Sequence, residues 1–153
     1  GGGVRMKKVF QGRPVVPGAV QAPAVVSHGG FNTLASFQKS LLAKAKEAVC
    51  GDQNNADLYN KPLTGRALCL PKTIGSTTGG LVLHTACSMG VAPAAMLFSE
   101  PIDSLAAAGA ILADVWTDHS MPTVDNLGED FLAYVKDGMT ISVAADGTVT
   151  VEG

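Results

Sequence analysis

The rhythm of apolar and polar positions divides the 153-residue chain into segments of different character. Residues 13–26, RPVVPGAVQAPAVV, alternate short β-branched pairs with Pro and Gly, which excludes a helix and predicts brief strands joined by sharp turns. The next stretch, SHGGFNTLASF, is turn-rich at first and then apolar. Residues 40–49, SLLAKAKEAV, are dominated by strong helix formers, so a helix capped by Ser40 is expected there. Residues 51–63, GDQNNADLYNKPL, are polar and read as an excursion over the surface.

From Arg66 the pattern becomes alternating units. RALCLP predicts a buried strand, residues 80–89 a helix stopped by Gly90, and APAAMLFS a second strand. A strand, a helix and a strand within about 30 residues form a βαβ unit, whose crossover should be right-handed. Asp103 is placed to cap a helix over DSLAAAGAIL, whose Ala and Gly allow close packing, and PTVD follows as a short strand. EDFLAYVKDG predicts an amphipathic helix with Phe131, Leu132 and Val135 on one side and Gly138 as its stop. In the tail, Ile141, Val143, Val149 and Val151 alternate around Asp146-Gly147, a hairpin signal. The fold class is therefore α/β: one domain over residues 1–153, a mixed sheet with a central βαβ unit and hairpins. Residues 1–8 are expected to be a disordered or appended start, with Met6 as the natural first residue.

Composition sharpens this picture. Hydrophobic residues make up 46%, charged residues 16% and aromatic residues 5%, so the core must be built from Ala, Val and Leu, and the weakly charged surface points to a partner. A formal charge of -2, with a basic cluster only at Arg5, Lys7 and Lys8, sets nucleic acid aside. Three cysteines without CxxC spacing, Cys50, Cys69 and Cys87, indicate neither a disulfide framework nor a self-contained zinc site. Together with the lack of a membrane-length apolar run, they give a cytoplasmic expectation without membrane contact.

Candidate chemistry concentrates in PKTIGSTTGG, residues 71–80, the strand-to-helix loop of the βαβ unit. One hydroxyl suffices to cap a helix, and glycines permit the turn. The loop offers three consecutive hydroxyls, Ser76, Thr77 and Thr78, which leaves two free to meet a polar ligand at the positive end of a helix. A nucleotide-binding loop fails on residues: Leu81 follows Gly80 where GxxxxGK[ST] requires Lys, and GxGxxG is absent.

The segments GRPVVPG, LYNKPLTGRALCLPKTIGSTTGG and GVAPAAMLFSEPIDSLAAAGAI together resemble the small subunit of the aconitase X family, over residues 12 to about 127. The resemblance implies a swivelling β/β/α domain that closes over a larger, aconitase-like subunit. It also implies a dehydratase, acting on mevalonate 5-phosphate in archaeal branches and on cis-3-hydroxy-L-proline in bacterial ones. By that resemblance Ser76 is the proton-abstracting base, and Thr77 and Thr78, with the amides of Gly79 and Gly80, hold the substrate carboxylate. Thr73, Ile74 and Thr77 replace a more basic, serine-rich loop of the archaeal form and leave only Lys72 nearby, which favours hydroxyproline. Dehydration of that substrate gives Δ1-pyrroline-2-carboxylate. The alternatives are the phosphomevalonate enzyme and a non-catalytic binding or regulatory swivel domain.

Ionising a serine near neutrality requires a shift of more than about 3 units, or about 4 kcal/mol. A helix N-terminus supplies at most about 2 kcal/mol. No His or acid lies within the loop, so a second group must help Ser76, from elsewhere in the fold or from the large subunit. Any iron or iron–sulfur centre is expected on that partner; this chain is expected to bind no cofactor and no metal. His28 in SHGGFN reads as a turn residue, as a substrate-side residue together with Asn32, or as a phosphotransfer residue. In swivelling phosphohistidine domains, however, the glycines precede the histidine, whereas here Gly29 and Gly30 follow it. His84 and Cys87 share a helix face without an evident third metal ligand. Asp114, Asp118, His119 and Asp125 read as a solvated acidic loop around Trp116.

Overall fold

The computed structural model describes residues 6–75, 79–116 and 120–153. Parallel strands β3 (Val20–Val26), β5 (Ala67–Leu70), β7 (Ala95–Phe98) and β8 (Thr123–Asp125) lie side by side in that order. Antiparallel strands extend both edges: β2 (Arg13–Val16) pairs with β8, and β9 (Thr140–Val143), β10 (Thr148–Glu152) and β1 (Lys7–Gln11) continue beyond β3. A second, two-stranded sheet joins β4 (Phe31–Asn32) to β6 (Thr73–Ile74). The helices are α1 (Thr33–Leu42), α2 (Gly79–Ser88), α3 (Ser104–Trp116) and α4 (Glu129–Tyr134).

The central strands are buried on both faces, and their alternation sorts the core into two clusters. Val25, Leu68, Leu70, Met96 and Phe98 join Phe37, Leu83, Ala86 and Ala113 of α1, α2 and α3. Ala24, Val26, Ala67, Cys69, Ala95 and Leu97 join Phe131 and Leu132 of α4 and the hairpin residues Ile141, Val149 and Val151. Small side chains dominate the second list at the strands, and the aromatic volume there comes from Phe10 and Phe131, whose rings meet edge to face.

The expected βαβ unit is present as β5, α2 and β7, with Gly90 in the left-handed region after the helix. The tail hairpin and the Asp103 cap also match; Ala106 N–H donates to Asp103 Oδ1 at 2.9 Å. The helix expected over residues 40–49 does not form. Asn32, not Ser40, caps α1, and the helix ends at Leu42 because Lys44 turns into the left-handed region. Ser40 instead uses its hydroxyl on the backbone of Val49. The segment read as a surface excursion is packed: Cys50, Leu58 and Leu63 are fully buried, and Asp52 and Asn55 are buried with backbone amides as partners. The last helix ends at Tyr134, four residues before Gly138, as Val135 becomes extended.

Arg13 and the fully buried Asp125 form a fork, Nε to Oδ1 at 2.9 Å and Nη2 to Oδ2 at 2.6 Å. Asp125 also accepts from Ile102 N–H at 2.8 Å, which ties the edge of the sheet to the approach of α3. The acidic group expected around Trp116 is therefore not a single solvated loop: Asp125 is a buried ion-pair partner, and Asp118 and His119 lie outside the described residues.

Helices α2 and α3 cross where Gly80 meets Gly109. A Cβ on Gly80 would sit 3.1 Å from Leu105 O and 3.3 Å from Gly109 Cα, and a Cβ on Gly109 would collide with the Gly80 backbone. Backbone cannot step aside as a flexible side chain can, so Gly109→Ala should cost about 1–3 kcal/mol of overpacking, against about 1 kcal/mol of gained helix propensity. Thermal unfolding should show Gly109→Ala net destabilised. Gly29→Ala, which enters open space, should stay within about 0.5 kcal/mol of wild type. An unchanged Tm for Gly109→Ala would show that the crossing is not tight.

Candidate functional site

The three helices α1, α2 and α3 all begin beyond the carboxyl ends of the parallel strands, and their first turns converge on one cleft. The cleft holds about 350 Å³ and is lined by Thr33 from α1, Gly79, Gly80 and Leu83 from α2, Leu105 and Ala106 from α3, and Thr73, Ile74, Gly75 and Asp103 from the loops between. Its shape follows from the small sheet: Phe31 N–H donates to Lys72 O at 2.9 Å, and the β4–β6 pairing brings the loops after β3 and β5 together. Gly75 has φ of 103° and lies against the Asn32 amide, which leaves no room for a side chain there.

Three helix starts meet in the wall, but the Ala35 amide of α1 is taken by Asn32 and the Leu105 and Ala106 amides of α3 by Asp103, and among the described residues no Lys or Arg lines it. Asp103 is the charged group in that wall. Desolvation pushes its carboxyl upward, but the hydrogen bonds from the Ala106 amide, the Thr73 hydroxyl and the Leu105 amide together outweigh it and hold the group below the usual carboxylate range. Thr73 Oγ1 donates to Asp103 Oδ2 at 2.7 Å. A carboxylate so held is a weak proton acceptor but a durable negative charge.

Of the residues singled out in the sequence, Gly79 and Gly80 line the cleft. Ser76, Thr77 and Thr78 lie outside the described residues, between Gly75 and Gly79, both of which are in the wall. Asn32 uses Oδ1 to cap α1 by accepting from Ala35 N–H at 3.0 Å. His28 is half exposed and outside the cleft wall; its backbone N–H donates to Asp57 Oδ2 at 2.7 Å, and its Nδ1 is 3.5 Å from the same oxygen. The loop around it is fixed from below, where Asn55 Nδ2 donates to Ser27 Oγ and Ser27 donates to Gly29 O. Thr33, Thr73 and the carboxylate of Asp103 are the wall residues that sequence reasoning missed. The cap signal at Asp103 was readable, but the partner that turns it toward Thr73 comes from 30 residues away.

Among the described residues no group of three His, Cys, Asp or Glu side chains is placed to hold a metal. Cys50, Cys69 and Cys87 are fully buried, the first and last in one core cluster and Cys69 in the other. Burial pushes the Cys87 thiol up to about 11 and Cys69 higher still, so neither offers a thiolate at neutral pH. His84 lines a shallow apolar groove between α2 and α3 with Leu81, Leu105 and Leu112, while Cys87 points into the core. No helix among the described residues is long and apolar enough to cross a membrane.

Fold and cleft define a class: an α/β domain in which the starts of three helices share one cleft at the carboxyl ends of parallel strands. The chain belongs to the aconitase X swivel domain family, whose sequence profile matches residues 9–151. It is 30% identical over 144 residues to a phosphomevalonate dehydratase small subunit of Aeropyrum pernix, covering 94% of this chain and 93% of that one. It is 32% identical to the protein of the same name from Methanocella arvoryzae, covering 93% and 96%. The crystal structure of Thermococcus kodakaraensis aconitase X in its holo-form superposes with a TM-score of 0.79 at 25% identity, covering 94% of this chain and 98% of that one.

Asp103 supplies a test of the cleft's electrostatics. Because its folded-state pKa is depressed below about 3.9, its ionised form adds stability above that pH, and the contribution fades as pH falls through the lowered value. Asp103→Ala should lose about 1 kcal/mol at neutral pH through the missing cap. The gap between variant and wild type should narrow in chemical denaturation series taken toward pH 2. A gap that widens in acid would show that the carboxylate is not held as described.

Proposed function

We propose that this chain is the small subunit of an aconitase X-type dehydratase and that it works against a large aconitase-like subunit. The observation that carries this reading is the cleft, where three helix N-termini meet beside the Gly75–Gly79 loop of a family member. The names of the relatives favour mevalonate 5-phosphate as substrate. A second reading, cis-3-hydroxy-L-proline, is favoured by the wall itself: among the described residues it contains no Lys or Arg to meet a phosphate and one lasting carboxylate, Asp103, suited to a secondary ammonium.

Both compounds are carboxylates with a hydroxyl on the β carbon, and the same chemistry serves both. The helix-end amides at Gly79 and Gly80 receive the carboxylate, which steadies negative charge as the α proton leaves. Ser76 takes that proton; the β hydroxyl departs as water with a proton from the large subunit. An α,β-unsaturated carboxylate results, and in the proline case the enamine tautomerises to the cyclic imine. Among the described residues Lys and Arg are absent from the wall and Asp103 is a weak proton acceptor, so in this reading the group that activates Ser76 comes from the large subunit, which would also hold any iron or iron–sulfur centre. Sealing by that subunit also removes water, which strengthens each electrostatic contact in the cleft.

Mixing the chain with its large subunit and supplying each compound in turn tests the reading. Turnover of mevalonate 5-phosphate supports the first substrate, a cyclic imine from hydroxyproline the second, and no product from either leaves a non-catalytic swivel domain. In the active mixture, Ser76→Ala should lower kcat by at least about 100-fold. Near-full turnover by that variant would remove Ser76 from the base role.

A further inference from the structure

Thr33 is the first residue of α1 and is 3% exposed, yet no hydrogen bond to its hydroxyl is present among the described residues. The oxygen itself keeps access to the cleft that Thr33 lines, so it is open to a ligand, and at a position where only shape matters valine would serve as an apolar isostere. The side chain faces the cleft: it lines the wall, and a Cβ built on Gly79 would stand 3.6 Å from Thr33 Cβ and 3.7 Å from its Oγ1. The hydroxyl therefore sits beside the first residue of α2, at the start of a second ten-residue helix. By contrast the hydroxyl of Ser36, wholly buried and without a partner among the described residues, is one turn further along α1 and absent from the cleft wall.

We propose that Thr33 is a substrate-binding residue whose hydroxyl donates to a carboxylate oxygen of the ligand, completing the set of donors begun by the Gly79 and Gly80 amides. This rests on the dehydratase reading above and adds to it a contact from a different helix. A donor from α1 fixes the carboxylate plane, which amides of α2 alone leave free to rotate about the helix axis. The contact exists in ground state and transition state alike, so its loss should appear in KM and binding rather than in kcat.

The test uses the complex with the large subunit. Affinity for mevalonate 5-phosphate and for cis-3-hydroxy-L-proline is measured by calorimetry in a Ser76→Ala background, and kinetics are measured with Ser76 intact. Thr33→Val keeps the shape and removes the hydroxyl; it should weaken binding and raise KM by about 10-fold or more, the loss expected for a hydrogen bond to a charged group, with kcat within about 3-fold. Thr33→Ser keeps the hydroxyl and should stay within about 3-fold of wild type in binding and KM. Wild-type affinity in Thr33→Val, or a loss in Thr33→Ser as large as in Thr33→Val, overturns the Thr33 contact while leaving the dehydratase reading intact. A wild-type complex that binds neither compound overturns both.

Discussion

Everything at the cleft depends on two glycines that let α2 and α3 touch backbone to backbone. With any side chain at Gly80 or Gly109 the helices would stand further apart, and their first turns would no longer share a wall. Helix dipoles decay within about a turn, so convergence matters more than the number of helices. The crossing is held in turn from the sheet, where Asp125 grips Arg13 and the amide of Ile102 just ahead of the Asp103 cap. The line from a buried carboxylate at the sheet edge to the cap of α3 is continuous, which makes the cleft a product of the core rather than of its loops.

A cleft built this way is an incomplete device. Nothing described in it removes a proton well, and Asp103 is held as a stable anion. The outer faces of α2 and α3 fit that picture: Leu81, Leu105 and Leu112 are all about half exposed or more and line an apolar groove that shares Gly80 and Leu105 with the cleft. A domain whose site asks for another polypeptide is consistent with a family defined by a swivel domain.

The sequence made the parallel core and the hairpins readable, because runs such as ALCL and AMLF and the alternation of Ile141, Val143, Val149 and Val151 encode burial directly. It misled where local preference and tertiary context disagreed. The Ala-Lys run after Ser40 has helix propensity throughout, yet burying Ala48 and pairing Val49 with Pro62 outweighs it. The polar stretch around Asn55 looked like surface because its hydrogen-bond partners, Ser27 and the Leu58 amide, could not be seen from composition. Of the cleft wall, Gly79 and Gly80 were legible in the sequence, whereas Thr33 was not: a single threonine after an Asn cap is ordinary until the fold turns it toward Gly79.

The most direct measurement is a crystal structure of the assembled complex with an intact substrate held by an inactive variant. A substrate carboxylate oxygen should lie within about 3 Å of the amide nitrogen of Gly79 or Gly80, in the wall shared by α1, α2 and α3. A carboxylate held wholly by the large subunit, with those amides facing solvent or protein instead, would contradict the role assigned to the glycine crossing.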